Sequence, residues 1–444
     1  MHKLCIIFFA LLILIGCSNG GSLDNTINNE NGNCDWLYLV YVASDNNLGD
    51  YNDVVPYKSR NVINVLEDIE PTNKVVCVVF FDEKVSNTKQ YLIKKDNDLK
   101  NINSECIYDY NSNVDSGDVL VFENFVKMNI EKFRPNNVVL DIWDHGTGPV
   151  YKSCSKSTRG ICYDSDKNSN ITIRQLKSAL LEIQQTYGFK IKVLVLSACF
   201  MGNYELLYEL RNCAKYILAS PPTIWGYFIG YFVGLDASNY KEINTLPFNP
   251  HGEFLKIIQE KNTPLEMIND FYSISLEKHA SICYKNDTCL SVYDADNIQE
   301  IQNAFVEFSK IINSRYDDPA YSLEIEKIIS KTSFYQAEDD DKYNDLKDFG
   351  SFVSLITNSI VLDSELVKSA NKLKVLLYDK NKFIINTGFY APINTQYNWN
   401  DCCGVSIYLP SFYLSSEFLS YDVFVQNEDW KQFIIKRIIA LTSN

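Results

Sequence analysis

Two side chains in this sequence stand where chemistry is usually done. His145 follows the apolar run Asn137 to Trp143, and Cys199 follows the apolar run Ile191 to Leu196. A thiol and an imidazole brought face to face make a nucleophile and its base: the imidazole takes the thiol proton, the thiolate attacks a carbonyl, and the imidazolium protonates the leaving amine. Each sits among small residues, His145 in Asp144-His145-Gly146-Thr147-Gly148 and Cys199 in Ser197-Ala198-Cys199-Phe200-Met201-Gly202. Glycine lets backbone approach a ligand closely, and the N–H groups of Gly146 and Cys199 are candidates for holding an oxyanion. A helical stretch, Tyr204 to Leu210, follows the Cys, so a helix dipole is expected to favour the thiolate. The plainer reading is packing, because a buried Cys is usually inert, as expected for Cys77 and Cys213, and a lone His is often a satisfied core residue. Spacing alone does not choose between the two.

The elements that would position this pair alternate in type. Residues 36–42, 74–81, 137–143 and 191–196 are continuous apolar runs rich in β-branched residues, which suits strands buried on both faces. Helical patterns occupy 52–67, 118–133 and 172–187. Strand, helix, strand, helix implies an α/β fold with a mostly parallel sheet covered on both faces, and in such sheets functional groups collect past the carboxyl ends of the strands. Beyond residue 240 the chain reads as loop-rich, with helices over 297–314 and 350–376 and a strand Gly404 to Leu409 expected to return to the main sheet. His251 and His279 lie here without a nucleophile motif and read as surface or structural residues.

The N-terminus speaks to compartment. Lys3 and the apolar run Leu4 to Ile15 have the form of a signal peptide, too short to span a bilayer. The run ends in Leu14-Ile15-Gly16-Cys17, which resembles a bacterial lipobox and implies lipidation of Cys17 and anchoring to a membrane of the cell envelope; an ordinary signal peptide with a chance Cys is the alternative. The expected division is a lipoprotein signal (1–17), a Ser/Asn/Gly-rich tether (18–34), a catalytic domain (35–240) and a C-terminal region (241–444) that packs on or completes the catalytic sheet. A net charge of −15 argues against nucleic acid as a partner. Of thirteen Cys, Cys154/Cys162, Cys283/Cys289 and the Cys402-Cys403 doublet are candidates for bridges, with connectivity open. No paired Cys-x-x-Cys is present, so no structural zinc site is expected.

The motifs, taken together and in order, resemble the clostripain family of cysteine peptidases. WLYLVYVASDNNLGDY (36–51), WDHGTG (143–148), LSACFMGNYEL (196–206), ILASPP (217–222), YNDLKDF (343–349) and GVSIYLP (404–410) match its successive motifs across most of the chain. The resemblance implies a caspase-like three-layer α/β/α sandwich with a C-terminal α/β extension. It also implies a His145/Cys199 dyad hydrolysing peptide or protein substrates through a thioester, in a protein expected to be monomeric and to need no cofactor. The sequence departs from the family at Ser197, where an Asp helps select Arg or Lys at P1. Neither Ser220 nor the Trp225 to Tyr227 stretch restores a carboxylate, so a polar or aromatic P1 lodged against Trp225 and Tyr227 is expected. Relatives are often matured by cleavage between the His and Cys motifs, which draws attention to the polar loop 151–160. Some depend on calcium, yet Glu338 to Asp341 lacks the spaced ligands of a calcium loop and reads as a solvated charge run. The second functional reading is a catalytically weak or inactive paralogue that binds peptides or proteins at the surface.

Overall fold

Each continuous apolar run becomes a strand that feeds two cores at once. In Trp36–Ser44 (β1) every residue is buried; Leu37, Leu39, Tyr41 and Ala43 point into one core and Trp36, Tyr38, Val40 and Val42 into the other. That is the period-two alternation of a strand with both faces covered. The computed structural model describes residues 33–49, 60–84, 86–98, 101–149, 160–224, 250–282, 288–335, 345–390, 399, 401–412, 414 and 416–443.

The further strands are Val75–Glu83 (β2), Lys89–Leu92 (β3), Glu105–Asp109 (β4), Asn137–Trp143 (β5), Ile161–Asp164 (β6), Ser169–Ile171 (β7), Ile191–Ser197 (β8), Ala214–Ala219 (β9), Thr288–Asp294 (β10), Leu346–Asp348 (β11), Ile384–Tyr390 (β12) and Ser406–Tyr408 (β13). Nine form one sheet in the order β12-β10-β9-β8-β5-β1-β2-β3-β4. The five central strands, β9 through β2, are parallel, and antiparallel strands extend both edges.

On one face lie Val119–Phe133 (α2) and Ile173–Tyr187 (α3), with further helices from the C-terminal half; on the other lie Arg60–Glu67 (α1), Pro250–Glu260 (α5) and Pro264–Ile282 (α6). The fold is thus the expected α/β/α sandwich. Local sequence sets the helix ends: Thr172 and Gln175 form a reciprocal capping box at the start of α3, and Gly188 closes it in the left-handed conformation.

Three sequence expectations change. The stretch read as loop after 240 contains α5 and α6. The helix expected over 350–376 is two, Phe349–Thr357 and Ser364–Tyr378, because Asp363 accepts from the N–H groups of Glu365 and Leu366 and starts a new helix. The late strand β13 does not rejoin the main sheet: β10 and β12 already extend that edge beyond β9, and β13 pairs antiparallel with β11 instead. Of the helix expected over 52–67, residues 60–67 fall within the described part.

Candidate active site

β5 and β8 are parallel neighbours with Trp143 opposite Ser197. His145 and Cys199 therefore each stand two residues past an aligned pair, and Asp144 N–H still donates to Ser197 O at 3.4 Å beyond the strand end. The two loops touch through backbone. A Cβ on Gly146 would overlap Cys199 O and lie 2.9 Å from Ala198 Cβ and 3.0 Å from Cys199 N. Gly148 takes φ +55°, and a side chain there would press on Phe200 O at 2.7 Å. Glycine at both places is what lets the His loop lie directly on the Cys loop.

His145 is half-buried, with Nε2 2.8 Å from Asn47 Oδ1. An amide oxygen only accepts, so this contact is a hydrogen bond in the tautomer that carries the proton on Nε2 and leaves Nδ1 as the basic nitrogen. The preceding Asp144 is buried, accepts from Asn46 Nδ2 at 2.8 Å and from Tyr163 N–H, and burial pushes its carboxyl well above the usual range. It anchors the strand tip.

Cys199 is half-buried, its Sγ 3.6 Å from Ile224 O. Seven of the nine described thiols are buried, and burial pushes them up, Cys34, Cys213 and Cys289 to about 12 and Cys77, Cys162, Cys402 and Cys403 in the same direction. These are inert packing groups. Cys77 and Cys213 fit that expectation. Cys162, Cys289, Cys402 and Cys403 are free thiols; Cys154 and Cys283, the suggested partners of Cys162 and Cys289, lie outside the described residues, as do 151–159 and 338–341.

The turn after Cys199 is held from two sides. Phe200 adopts φ 61°, its N–H donates to Pro222 O at 2.9 Å, and Gly202 N–H donates to Ser220 O at 2.8 Å. The helix Tyr204–Glu209 (α4) begins only after this turn, capped by Asn203 on Leu206 N–H. The expected helix is thus present and starts five residues past Cys199.

Ser197 is buried, and its hydroxyl donates to Asp141 Oδ1 at 2.7 Å. Asp141 Oδ2 accepts from Tyr38 OH at 3.1 Å and lies 2.9 Å from His251 Nδ1. A small cavity behind the Cys loop is lined by Ser197, Ile224 and His251 together with apolar side chains such as Leu218, Phe271 and Leu290. Ser220 is fully buried and gives its hydroxyl to Pro222 O at 3.1 Å, which shapes the loop after β9. Trp225 and Tyr227 lie outside the described residues, as does the side chain of His279.

Sequence reasoning missed three of these groups. Asn47 gave no signal beyond its loop. Asp141 did: it is the one acid inside the run Val138 to Trp143, and a carboxyl on a buried strand needs partners. His251, read as a surface or structural residue, is only 2 % exposed and belongs to this buried network.

A mostly parallel sheet whose adjacent strand tips present a thiol and an imidazole defines the caspase-like class of cysteine peptidases. The model of the clostripain family (peptidase C11) matches residues 40–436, and the chain belongs to that family. It is 26 % identical over 224 residues to clostripain of Hathewaya histolytica; the match spans 45 % of this chain and 41 % of that relative's length. Among solved structures it is similar to a secreted C11 cysteine protease from Bacteroides thetaiotaomicron in complex with an irreversible peptide inhibitor, at 18 % identity and TM-score 0.58, covering 90 % of this chain and 99 % of the other. It is also similar to an inactive zymogen C11 protease from Parabacteroides distasonis, at 17 % identity and TM-score 0.55, covering 91 % and 98 %. Those two likenesses carry the fold.

Proposed function

We propose that this chain is an exported, lipid-anchored cysteine endopeptidase with Cys199 as nucleophile and His145 as base. The observation that carries the reading is the backbone contact of Gly146 and Gly148 with the Cys199–Phe200 turn, which sets both side chains past aligned residues of adjacent strands. Nδ1 of His145 takes the thiol proton, the thiolate attacks the scissile carbonyl, and the N–H groups of Gly146 and Cys199 receive the oxyanion. The imidazolium then protonates the amine, leaving a thioester for water to hydrolyse.

The same reading gives the P1 preference. Among the described residues, the carboxyl that touches Ser197 is Asp141, and its oxygens are also engaged by Tyr38 and His251. A cationic P1 side chain would find that acid already engaged by its neighbours, at a cost of several kcal/mol for an uncompensated charge. A neutral P1 fits better. Peptidase activity and P1 preference are tested together with a P1-varied peptide library and the chain beside its Cys199→Ala variant. Cleavage of neutral P1 substrates that disappears in the variant supports the reading, and equal efficiency on Arg and neutral P1 counts against the specificity.

Export and anchoring rest on the Leu14 to Cys17 junction, which lies outside the described residues. Among those described, no helix is long and apolar enough to cross a membrane.

A further inference from the structure

We propose that His251 determines which side chain the site accepts beside the scissile bond: its imidazole occupies both the space and the carboxyl that a cationic P1 side chain needs. The inference rests on the peptidase reading above and adds to it the residue that excludes Lys and Arg.

Asp141 lies on β5 between Val40 of β1 and Val195 of β8. Val139 and Trp143, two residues to either side of it, belong to the apolar core under α1, α5 and α6. A carboxyl there needs donors. Ser197 Oγ meets one oxygen at 2.7 Å, and Tyr38 OH and His251 Nδ1 meet the other at 3.1 and 2.9 Å. Ser197 and Tyr38 are neutral hydroxyls on the sheet itself. His251 comes from α5, and of the three only an imidazole can carry a positive charge. It stands where a counter-ion would.

α5 is seated so that it holds this position. Gly252 lies so close to α1 that a Cβ there would be 2.7 Å from Val65 O. Phe254 meets Tyr38 edge-on at 5.6 Å and stacks on Phe271 at 4.4 Å. The space beside the imidazole leads toward the nucleophile. Ser197, Ile224, His251 and Phe271 share the lining of one cavity of about 20 Å³, room for a single water and not for a side chain. Ile224, part of that lining, carries the carbonyl that lies 3.6 Å from Cys199 Sγ. Ser197 stands two residues before Cys199, about 7 Å of extended chain, a gap that a lysine or arginine stem can bridge. With the imidazole in place the cavity is water-sized and Asp141 is engaged. Without it the cavity gains the volume of a ring, and the carboxyl faces that space.

The test compares the full chain with its His251→Ala and His251→Ser variants; the second keeps a small hydroxyl donor for Asp141 and is read where the first does not fold. On peptides that differ only at P1, the ratio of kcat/KM for lysine to that for norleucine should rise by about a hundredfold or more in either variant. It should fall back in the double variant His251→Ala/Asp141→Asn. His251→Gln, which refills the space and keeps a neutral donor, should stay within about threefold of the parent. A folded His251→Ala or His251→Ser chain with the parent's ratio, or a rise that persists without Asp141, overturns the inference. A second measurement needs no activity: in the Cys199→Ala background, butylammonium should raise the melting temperature of the His251→Ala chain by about 2 °C or more and leave the chain that retains His251 unchanged. Equal shifts, or none in either, overturn the cation pocket. A parent that cleaves no peptide, with a butylammonium shift confined to the His251→Ala chain, overturns the peptidase reading and upholds the pocket.

Discussion

Asn47 Oδ1 faces Nε2 of His145 at 2.8 Å, a contact that favours the tautomer with Nδ1 free to act as the proposed base. On that proposal Asn47→Ala should lower kcat by about ten- to a hundredfold with little change in KM, since misplacing a general base costs on that order; steady-state kinetics reads the split. His145 and Cys199 were legible in the sequence because a reactive side chain among glycines at the end of an apolar run is unusual. Asn47 was not, because its partner is 98 residues away and only the pairing of β1 with β5 brings the two loops together. Asp141 was half legible. An acid in a buried run announces a partner but not which one, and His251 arrives from 110 residues downstream.

At the scale of elements, the turn from Cys199 to Gly202 and the helix after it form one unit. Gly148→Ala should reduce activity strongly, because the added methyl meets Phe200 O and the φ of +55° disfavours it; a melting temperature within a few degrees of the parent would place the effect on the turn. In α4, Glu205 is fully buried, accepts from Tyr408 N–H at 3.2 Å, and burial pushes its carboxyl up to about 8. The folded chain therefore holds this proton more tightly than the unfolded one, so stability should fall as pH rises from about 4.3 through 8. Glu205→Gln keeps the acceptor and removes the charge. It should match the parent below pH 4 and exceed it at pH 8.5 by on the order of a few kcal/mol in urea titrations; identical pH profiles would contradict the assignment. The central strands were readable because strands buried on both faces write themselves as unbroken apolar runs. Helices α5 and α6 were missed because the polar residues Asn249 to Gly252 and Asn262 to Pro264 look like loop, while Phe254, Leu255, Ile258, Met267 and Ile268 supply the apolar face that the sheet captures.

Across the whole molecule, the C-terminal half is part of the scaffold. Strands β10 and β12 extend the main sheet, and Arg437 near the C-terminus is 3 % exposed, pairs with Glu326 at 2.8 Å and donates to Leu409 O and Pro410 O. Truncating Arg437 would leave two carbonyl oxygens and the half-buried Glu326 carboxylate without their donor, a loss of hydrogen bonds to a charged group that costs about 1.5–3 kcal/mol each. Arg437→Ala should lower the melting temperature clearly, and an unchanged value would mean that the clamp contributes nothing. At the other end, Cys17→Ala should move the protein from the membrane fraction to the soluble one, and retention at the membrane would contradict lipid anchoring. The central claim is the dyad, and mass spectrometry after treatment with a neutral-P1 peptidyl acyloxymethyl ketone tests it most directly. The inhibitor should attach to Cys199 of the parent and fail to attach in Cys199→Ala and in His145→Ala. Labelling that survives His145→Ala, or that falls on another thiol, would contradict the dyad; no labelling of the folded parent would favour the peptide-binding paralogue.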